Sequence, residues 1–185
     1  MKQITDYNPV EYLIKIQRLK LKAVLIPIGI IIVSFAINIL LKIDLSKYFS
    51  LFGLMLYILI SLRYRIQKNI PPDIEQQILS PINGKITQIN KDRNEISIKK
   101  SFFHPAEIRS PSNDDTIKFN INSRNFSLFE ERSEVAGKLI GIVPSNAECT
   151  INITGEYEIN INPGQKVIAG ETIIAEKINN ISNSS

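Results

Sequence analysis

Two uncharged apolar runs near the start of the chain most constrain what this sequence can fold into. The first, residues 23–41, has 19 residues, and the second, residues 48–62, has 15. A helix needs about 20 apolar residues to cross the hydrocarbon core of a bilayer, so the first run is long enough and the second is short. The charged break between them, residues 42–47, is predicted to turn the chain back. The sequence therefore predicts a transmembrane helical hairpin over residues 23–62. A buried helix pair in a soluble protein is the alternative.

Basic residues flank this hairpin on both sides: Lys15, Arg18, Lys20 and Lys22 before it, and Arg63, Arg65 and Lys68 after it. The positive-inside rule then predicts that both flanks lie in the cytoplasm of a cell whose inner membrane holds the hairpin. The rest of the chain would lie on the cytoplasmic side. The same cations are suited to contact anionic phospholipid of the bilayer. Because the positive charge follows the apolar runs, no nucleic-acid partner is expected.

Three further segments complete the helical part and the two ends of the chain. Residues 1–22 are predicted to form an amphipathic N-terminal segment, because apolar residues recur at helical spacing after Pro9. Residues 63–76 are predicted to be a basic linker, in which Pro71 and Pro72 prevent the helix from continuing. Residues 179–185 are rich in Asn and Ser and are expected to form a disordered tail.

From residue 77 onward the apolar residues alternate with polar ones instead of recurring at helical spacing. Short alternating segments such as 95–99 and 149–153 are separated by turn residues such as Asn83-Gly84 and Asn162-Pro163-Gly164. Many short strands at regular spacing indicate a sandwich or a barrel. The predicted fold is therefore an N-terminal transmembrane helical hairpin followed by an all-β, sandwich- or barrel-like domain over residues 77–178.

Two stretches of the β-rich region have more sequence character than the rest. The Ser-Pro patch is Ile78-Leu-Ser-Pro-Ile-Asn-Gly-Lys-Ile86, and the hairpin patch is Asn162-Pro-Gly-Gln-Lys-Val-Ile-Ala-Gly-Glu-Thr-Ile-Ile-Ala-Glu176. Each predicts a strand, a tight turn and a second strand, with glycine supplying the positive φ that such turns require. A β-turn without any chemical role is the alternative for each patch.

The order of these patches resembles a known enzyme family. The basic exit from the hairpin, the prolines, the Ser-Pro patch, the segment Ile108-Arg109-Ser110-Pro111 and the hairpin patch are together similar to the short, membrane-hairpin phosphatidylserine decarboxylases. The resemblance extends over residues 10–111 and 137–176 and implies a membrane hairpin before a β-rich domain. It also implies an internal serine that cleaves its own chain and becomes a pyruvoyl group, which decarboxylates phosphatidylserine to phosphatidylethanolamine.

Two of the family's catalytic positions carry other residues in this chain. Asn83 stands where the family has an aspartate, and an amide cannot orient and charge a neighbouring base as a carboxylate does. The family's histidine position falls on Ala106. His104 lies two residues earlier, and a two-residue shift within a strand would keep it on the same face. An ordinary surface or turn histidine is the alternative for His104.

The residue aligned with the self-cleaving serine is Ser145. It follows Pro144, whereas the family has a glycine there, and the fixed φ of proline restricts the strained geometry that self-cleavage needs. No base is evident beside Ser145, and an unactivated hydroxyl is a poor nucleophile. A turn serine is the alternative. The substitutions predict a degenerate family member with no cofactor, in which a pyruvoyl group forms at Ser145 only if the chain cleaves itself.

Three functions follow from the sequence. The first is a membrane-anchored, phosphatidylserine-decarboxylase-related protein of phospholipid metabolism that is catalytically inactive and contacts phospholipid or a membrane lipid-synthesis partner. The second is an active decarboxylase that uses Ser145 and His104, and the third is a non-enzymatic membrane adaptor with a lipoyl-like β-domain. No metal site is predicted, because Cys149 stands alone and is expected to be a small buried strand residue.

Overall fold

The computed structural model describes residues 9–42, 44–66, 77–113, 117–130, 133 and 135–178. The chain forms two compact units, Met1–Arg65 and Ile66–Ser185. The first unit contains two long apolar helices and the second contains the β-strands, which confirms the predicted order of helices and then strands. Residues 1–8 of the predicted amphipathic segment, residues 67–76 of the predicted linker and the predicted tail 179–185 lie outside the described residues.

The first unit is built from α1, Pro9–Leu41, and α2, Leu45–Arg63, with 33 and 19 residues. At 1.5 Å per residue the helices are about 50 Å and about 28 Å long. Residues 9–22 of the predicted N-terminal segment are therefore the first part of α1 rather than a separate helix. Pro27 lies well inside α1 and not in its first turn, where a proline costs a helix least.

The turn between the helices is shorter than the predicted break. Residues 45–47 already belong to the first turn of α2, and Lys42 reverses the chain with a positive φ of 53°. The Asn38 amide donates a hydrogen bond to the Ser46 hydroxyl at 2.8 Å, which joins the two helices next to the turn. Farther along, a side chain at Gly53 would lie 2.8 Å from Ile31 Cγ1. The two helices therefore approach each other closely at a position where α2 has no side chain.

The second unit contains eleven strands among the described residues. They are β1 Gln77–Leu79, β2 Gly84–Asn90, β3 Glu95–Lys100, β4 Glu107–Arg109, β5 Ile117–Asn122, β6 Ser127–Leu128, β7 Leu139–Ile142, β8 Ala147–Ile153, β9 Tyr157–Ile159, β10 Lys166–Val167 and β11 Ile173–Lys177.

The strands form three antiparallel sheets, ordered β1-β11-β9, β10-β2-β3-β8-β5 and β4-β7-β6. No closed barrel occurs among the described strands, so the barrel-like part of the prediction is wrong. Closure requires each strand to pair on both sides. Here β5 and β10 stand at the two ends of the five-stranded sheet.

The core of the β unit is made mostly of isoleucine. In β8 the side chains of Ala147, Cys149, Ile151 and Ile153 are buried, while those between them are partly or fully exposed. This alternation puts one face of the five-stranded sheet in the core and the other in solvent. Burying one isoleucine side chain contributes about 1.5–3 kcal/mol relative to leaving it exposed. Apolar burial on one face therefore fixes which side of the sheet is free to carry charge.

Candidate functional site

The fold brings together three of the five sequence features that carry the family resemblance. The backbone N–H of Arg109, in the Arg-Ser-Pro segment, donates to the carbonyl of Pro81 in the Ser-Pro patch at 2.8 Å. The N–H of Gly170, in the hairpin patch, donates to the carbonyl of Ser80 at 2.8 Å. Segments far apart in the chain thus share backbone hydrogen bonds. The Ser-Pro patch lies between the other two.

Asn83 is the polar centre of this meeting point and is almost completely buried, with 3% of its surface exposed. Its amide nitrogen donates to Glu107 Oε1 at 3.0 Å, and its amide oxygen accepts from the backbone N–H of Ala169 at 3.2 Å. A carboxylate at position 83 would have no hydrogen to donate and would repel Glu107 in a buried site. The asparagine is therefore the residue that matches this neighbour.

Glu107 is also held by Arg109. The Arg109 guanidinium donates from Nε and Nη2 to Glu107 Oε2 at 3.1 and 2.9 Å, and from Nη1 to the Gly137 carbonyl at 2.9 Å. The two charged side chains are 0% and 7% exposed. We call Asn83, Glu107 and Arg109 the buried polar network. Sequence reasoning missed Glu107, because the only signal was an acid two residues before a base inside an apolar segment.

The position where the family has its histidine is not open to solvent in this chain. Ala106 is fully buried, and its carbonyl accepts a hydrogen bond from the N–H of Val143 at 2.6 Å. His104 lies in a turn before β4 begins at Glu107, so the two-residue shift along a strand does not apply to it. The His104 ring therefore does not lie on a strand face together with Ala106.

The imidazole of His104 belongs to its own turn. Its Nδ1 accepts a hydrogen bond from the backbone N–H of Ser101 at 3.1 Å. The pKa of His104 is lowered from its usual value, first by partial burial and then by the charges of Lys100 and Lys166. A ring in this setting favours the neutral form at neutral pH. The Nδ1 nitrogen, which faces Ser101, is already engaged in this hydrogen bond.

Ser145 is half-buried in the turn before β8 and follows the buried Pro144. Its hydroxyl lies 2.6 Å from the Ser123 hydroxyl and donates to the Asn125 carbonyl at 3.3 Å. In the described part of the chain, no histidine or carboxylate hydrogen-bonds to this hydroxyl. A second hydroxyl and a carbonyl cannot remove its proton, so the arrangement lacks the base that nucleophilic attack requires.

One buried lysine connects the His104 turn with the Ser145 turn. Lys100 is 1% exposed, and its ammonium donates to the carbonyls of Ser101, His104 and Ser145 at 3.3, 3.1 and 3.4 Å. The structure therefore brings His104 and Ser145 to one cation through their backbone carbonyls, and not through imidazole and hydroxyl. This contact holds two turns together and gives no proton-transfer path between the two side chains.

Asn83 takes no part in this second cluster. The described side chains and backbone groups that bond to Asn83 are those of Glu107 and Ala169, whereas Ser145 bonds to groups of Ser123, Asn125 and Lys100. Asn83 thus lies in a different hydrogen-bonded setting from His104 and Ser145, which share only the Lys100 ammonium through their backbone carbonyls. This geometry does not assemble a proton relay.

The described residues also contain no group of three or more His, Cys, Asp or Glu side chains that could hold a metal ion. Cys149 is completely buried in β8, as predicted, and burial raises the pKa of its thiol to about 12. A thiol in that state is inert, because the thiolate is the reactive form.

Comparison of the chain with protein-family models, with curated proteins and with solved structures finds no match. The resemblance to the phosphatidylserine decarboxylases therefore stays a prediction. It rests on the motifs and on their order along the chain.

Proposed function

We propose that this chain is a membrane-anchored, phosphatidylserine-decarboxylase-related protein of phospholipid metabolism that does not form a pyruvoyl group. In this proposal α1 and α2 cross the inner membrane, and the β unit lies on its cytoplasmic side. There it contacts phospholipid or a membrane enzyme of lipid synthesis. The observation that carries the proposal is the apolar surface of the helix pair.

The helix pair leaves most of its apolar surface uncovered. Of the most apolar stretch of α1, 17% is buried in the structure, and of the most apolar stretch of α2, 11% is buried. Leu40 and Ile26 are 79% and 72% exposed, and Phe35 is 64% exposed. Monomeric soluble proteins rarely expose apolar patches larger than a few hundred Å². In lipid, exposing such an apolar surface costs no free energy. The basic residues Arg63 and Arg65 at the end of α2 suit the cytoplasmic boundary of a membrane.

The absence of catalysis is supported by what the aligned positions do in the fold. Asn83 bonds to Glu107 and to a backbone N–H, so it has a structural task that an aspartate would perform badly. Ser145 follows a proline and bonds to a hydroxyl and a carbonyl. Self-cleavage at this serine would need a base that the described contacts do not supply.

The proposal has two parts, and one preparation tests both. Intact-mass spectrometry of the purified full-length chain is expected to give a single species near 21.0 kDa. Fragments ending at Pro144 and beginning with a pyruvoyl group in place of Ser145 would show that the enzyme is active, which contradicts the non-catalytic part. Membrane fractions washed with alkaline carbonate are expected to retain the chain. Its release into the wash would contradict the anchor and leave the mass result standing.

A further inference from the structure

Three lysines lie side by side on the solvent face of the five-stranded sheet. Lys166 of β10 is paired with Lys85 of β2, and Lys85 is paired with Lys99 of β3. All three side chains are exposed. We call them the lysine row. It crosses three adjacent strands at one end of the sheet.

This arrangement is unfavourable for the sheet by itself. Side chains directly opposite each other on neighbouring strands have Cβ atoms about 5 Å apart, and like charges in that position destabilise the sheet. The next residue along the row is Glu148 of β8, opposite Lys99, followed by Asn122 of β5. The three lysines and Glu148 together have a net charge of +2. A row of this kind is suited to a negatively charged surface.

The turn that follows β3 adds an exposed aromatic ring at the same end of the sheet. Lys99 is the second-last residue of β3, and Phe103 lies in the next turn with 75% of its surface exposed. The Phe102 ring contacts that of Phe103 edge to face at 5.3 Å. The charge of Lys166 also reaches the neighbouring His104, where it is one of the causes that lower the pKa of the imidazole. The lysine row and the aromatic turn therefore lie at the same end of the sheet.

We propose that the lysine row and Phe103 dock the β unit on an anionic bilayer surface, the lysines toward lipid phosphates and the ring in the headgroup region. Cations beside an exposed aromatic residue are the combination that interfacial membrane contacts use. The site recognises surface charge, and none of its four residues is one of the positions aligned with the family's catalytic groups. The inference rests on the proposed function in one respect, because the helix pair would supply the bilayer.

The length of the connecting chain supports a lipid surface over a soluble anion as the occupant. Ten residues separate Ile66 and Gln77, and even fully extended they span at most about 35 Å. A domain tethered on such a short chain meets the surface of its own bilayer at a high effective concentration. Each lysine near an anionic surface strengthens binding about fivefold, so three lysines together strengthen it about a hundredfold.

The test uses the absence of tryptophan from the chain. Phe103→Trp in the full-length protein gives a single fluorescent reporter at the proposed contact. The protein is placed in nanodiscs of phosphatidylcholine alone or of phosphatidylcholine with phosphatidylglycerol. In the anionic nanodiscs we expect a blue-shifted emission that brominated lipid quenches and that added salt reverses, since salt screens exposed charges. An emission independent of phosphatidylglycerol would overturn the proposal.

A charge-matched pair of variants separates the row from net charge. K85Q/K99Q/K166Q in the F103W background is expected to abolish the anionic-lipid response. K91Q/K118Q/K177Q removes the same charge at other exposed positions and is expected to retain it. Equal loss in both variants would overturn the proposal in favour of a general charge effect. A blue shift produced in phosphatidylcholine nanodiscs by soluble polyphosphate, as large as that with phosphatidylglycerol, would assign the row to a soluble anion instead.

The proposed anchor and the proposed docking surface fail in different ways. Resistance to the carbonate wash reports on the helix pair alone and does not depend on the lysine row. A chain that the wash releases, but that still shows a row-dependent response on phosphatidylglycerol vesicles, refutes the anchor and supports the row. A chain that stays in the membrane without any effect of the K85Q/K99Q/K166Q change refutes the row and supports the anchor.

Discussion

The helix unit exposes most of its large apolar side chains, whereas the β unit buries most of its own. In the helix pair, Ser34 and Ser46 are 6% and 4% exposed, while Leu40 is 79% exposed. In the β unit, Ile98 is fully buried and Lys99, next to it in the chain, is exposed. A single aqueous solvent would not favour both arrangements, because apolar burial is the main favourable term in water. The proposed position of the helix pair in a membrane would account for this contrast.

The two units also treat their polar groups differently. The β unit buries a charged pair and an amide, and the side-chain ends of Asn83, Glu107 and Arg109 hydrogen-bond to one another and to backbone groups. The helix pair has the contact between Asn38 and Ser46 near its turn, and a close approach at Gly53. Small residues where helices meet are the common means of packing in lipid, where helices gain little from apolar burial. The predictions that follow probe this difference.

The largest effect is expected from removing one partner of the buried polar network. Glu107→Ala leaves the Arg109 guanidinium buried without its carboxylate, and breaking a buried pair in this way costs about 3–5 kcal/mol. Chemical denaturation of the β unit, followed by its strand circular-dichroism signal, measures the loss of unfolding free energy.

The matched control for that experiment is the pair of Lys138 and Glu130. Its nitrogen and oxygen lie 3.1 Å apart, but the side chains are 15% and 30% exposed. Glu130→Ala is expected to cost about 0–1 kcal/mol, because solvent already stabilises such ions. A loss as large as that of Glu107→Ala would show that burial is not what makes the network important.

The next effect concerns the helix pair. Gly53→Leu would force a side chain between α2 and the Ile31 region of α1, and overpacking of this kind costs about 1–3 kcal/mol. Gly29→Leu is the control, because a Cβ atom there would meet no atom within 4 Å. Titration with sodium dodecyl sulfate, followed by the helical circular-dichroism signal, should show a lower midpoint for the Gly53 variant alone. Equal midpoints would contradict the close approach.

The smallest effect is expected at His104, the single histidine of the chain. Because the pKa of this group is lower in the folded state, the unfolded state binds more protons as the pH falls below the usual histidine value of about 6.5. Stability is therefore full above that pH and declines as the pH falls toward the folded pKa. His104→Gln should remove this part of the decline.

Nuclear magnetic resonance titration of the one imidazole tests the cause of that shift. Lys166→Gln is expected to raise the pKa of His104 toward its usual value, since it removes one of the positive charges that lower it. Lys118→Gln is the control on another strand. If both variants leave the pKa unchanged, the lysine row does not reach the aromatic turn, and the proposed docking surface loses its continuity.

Much of the fold follows from local pattern. The two apolar runs predicted α1 and α2. Where no water can hydrogen-bond to the backbone, a long uncharged run can pair its N–H and C=O groups only by forming a helix. Alternation predicted β2, β3 and β8, since successive side chains of a strand point to opposite faces. The strands that sequence reasoning missed are β4 and β6, with three and two residues. So short a segment has no readable period, and the residues of β4 are buried on both faces.

The sequence by itself determined where helix gives way to strand and which residues are apolar. It also led to the prediction that Asn83, Ala106 and Pro144 replace residues of the family that the motifs resemble. Only the tertiary structure decided that Asn83 faces Glu107, that His104 and Ser145 meet through the Lys100 ammonium, and that three lysines stand in one row. Composition and periodicity act over a few residues, whereas these contacts depend on strand pairing and register between distant segments. The register between strands is set by the burial of a whole sheet face. The sequence of a single segment does not contain that information.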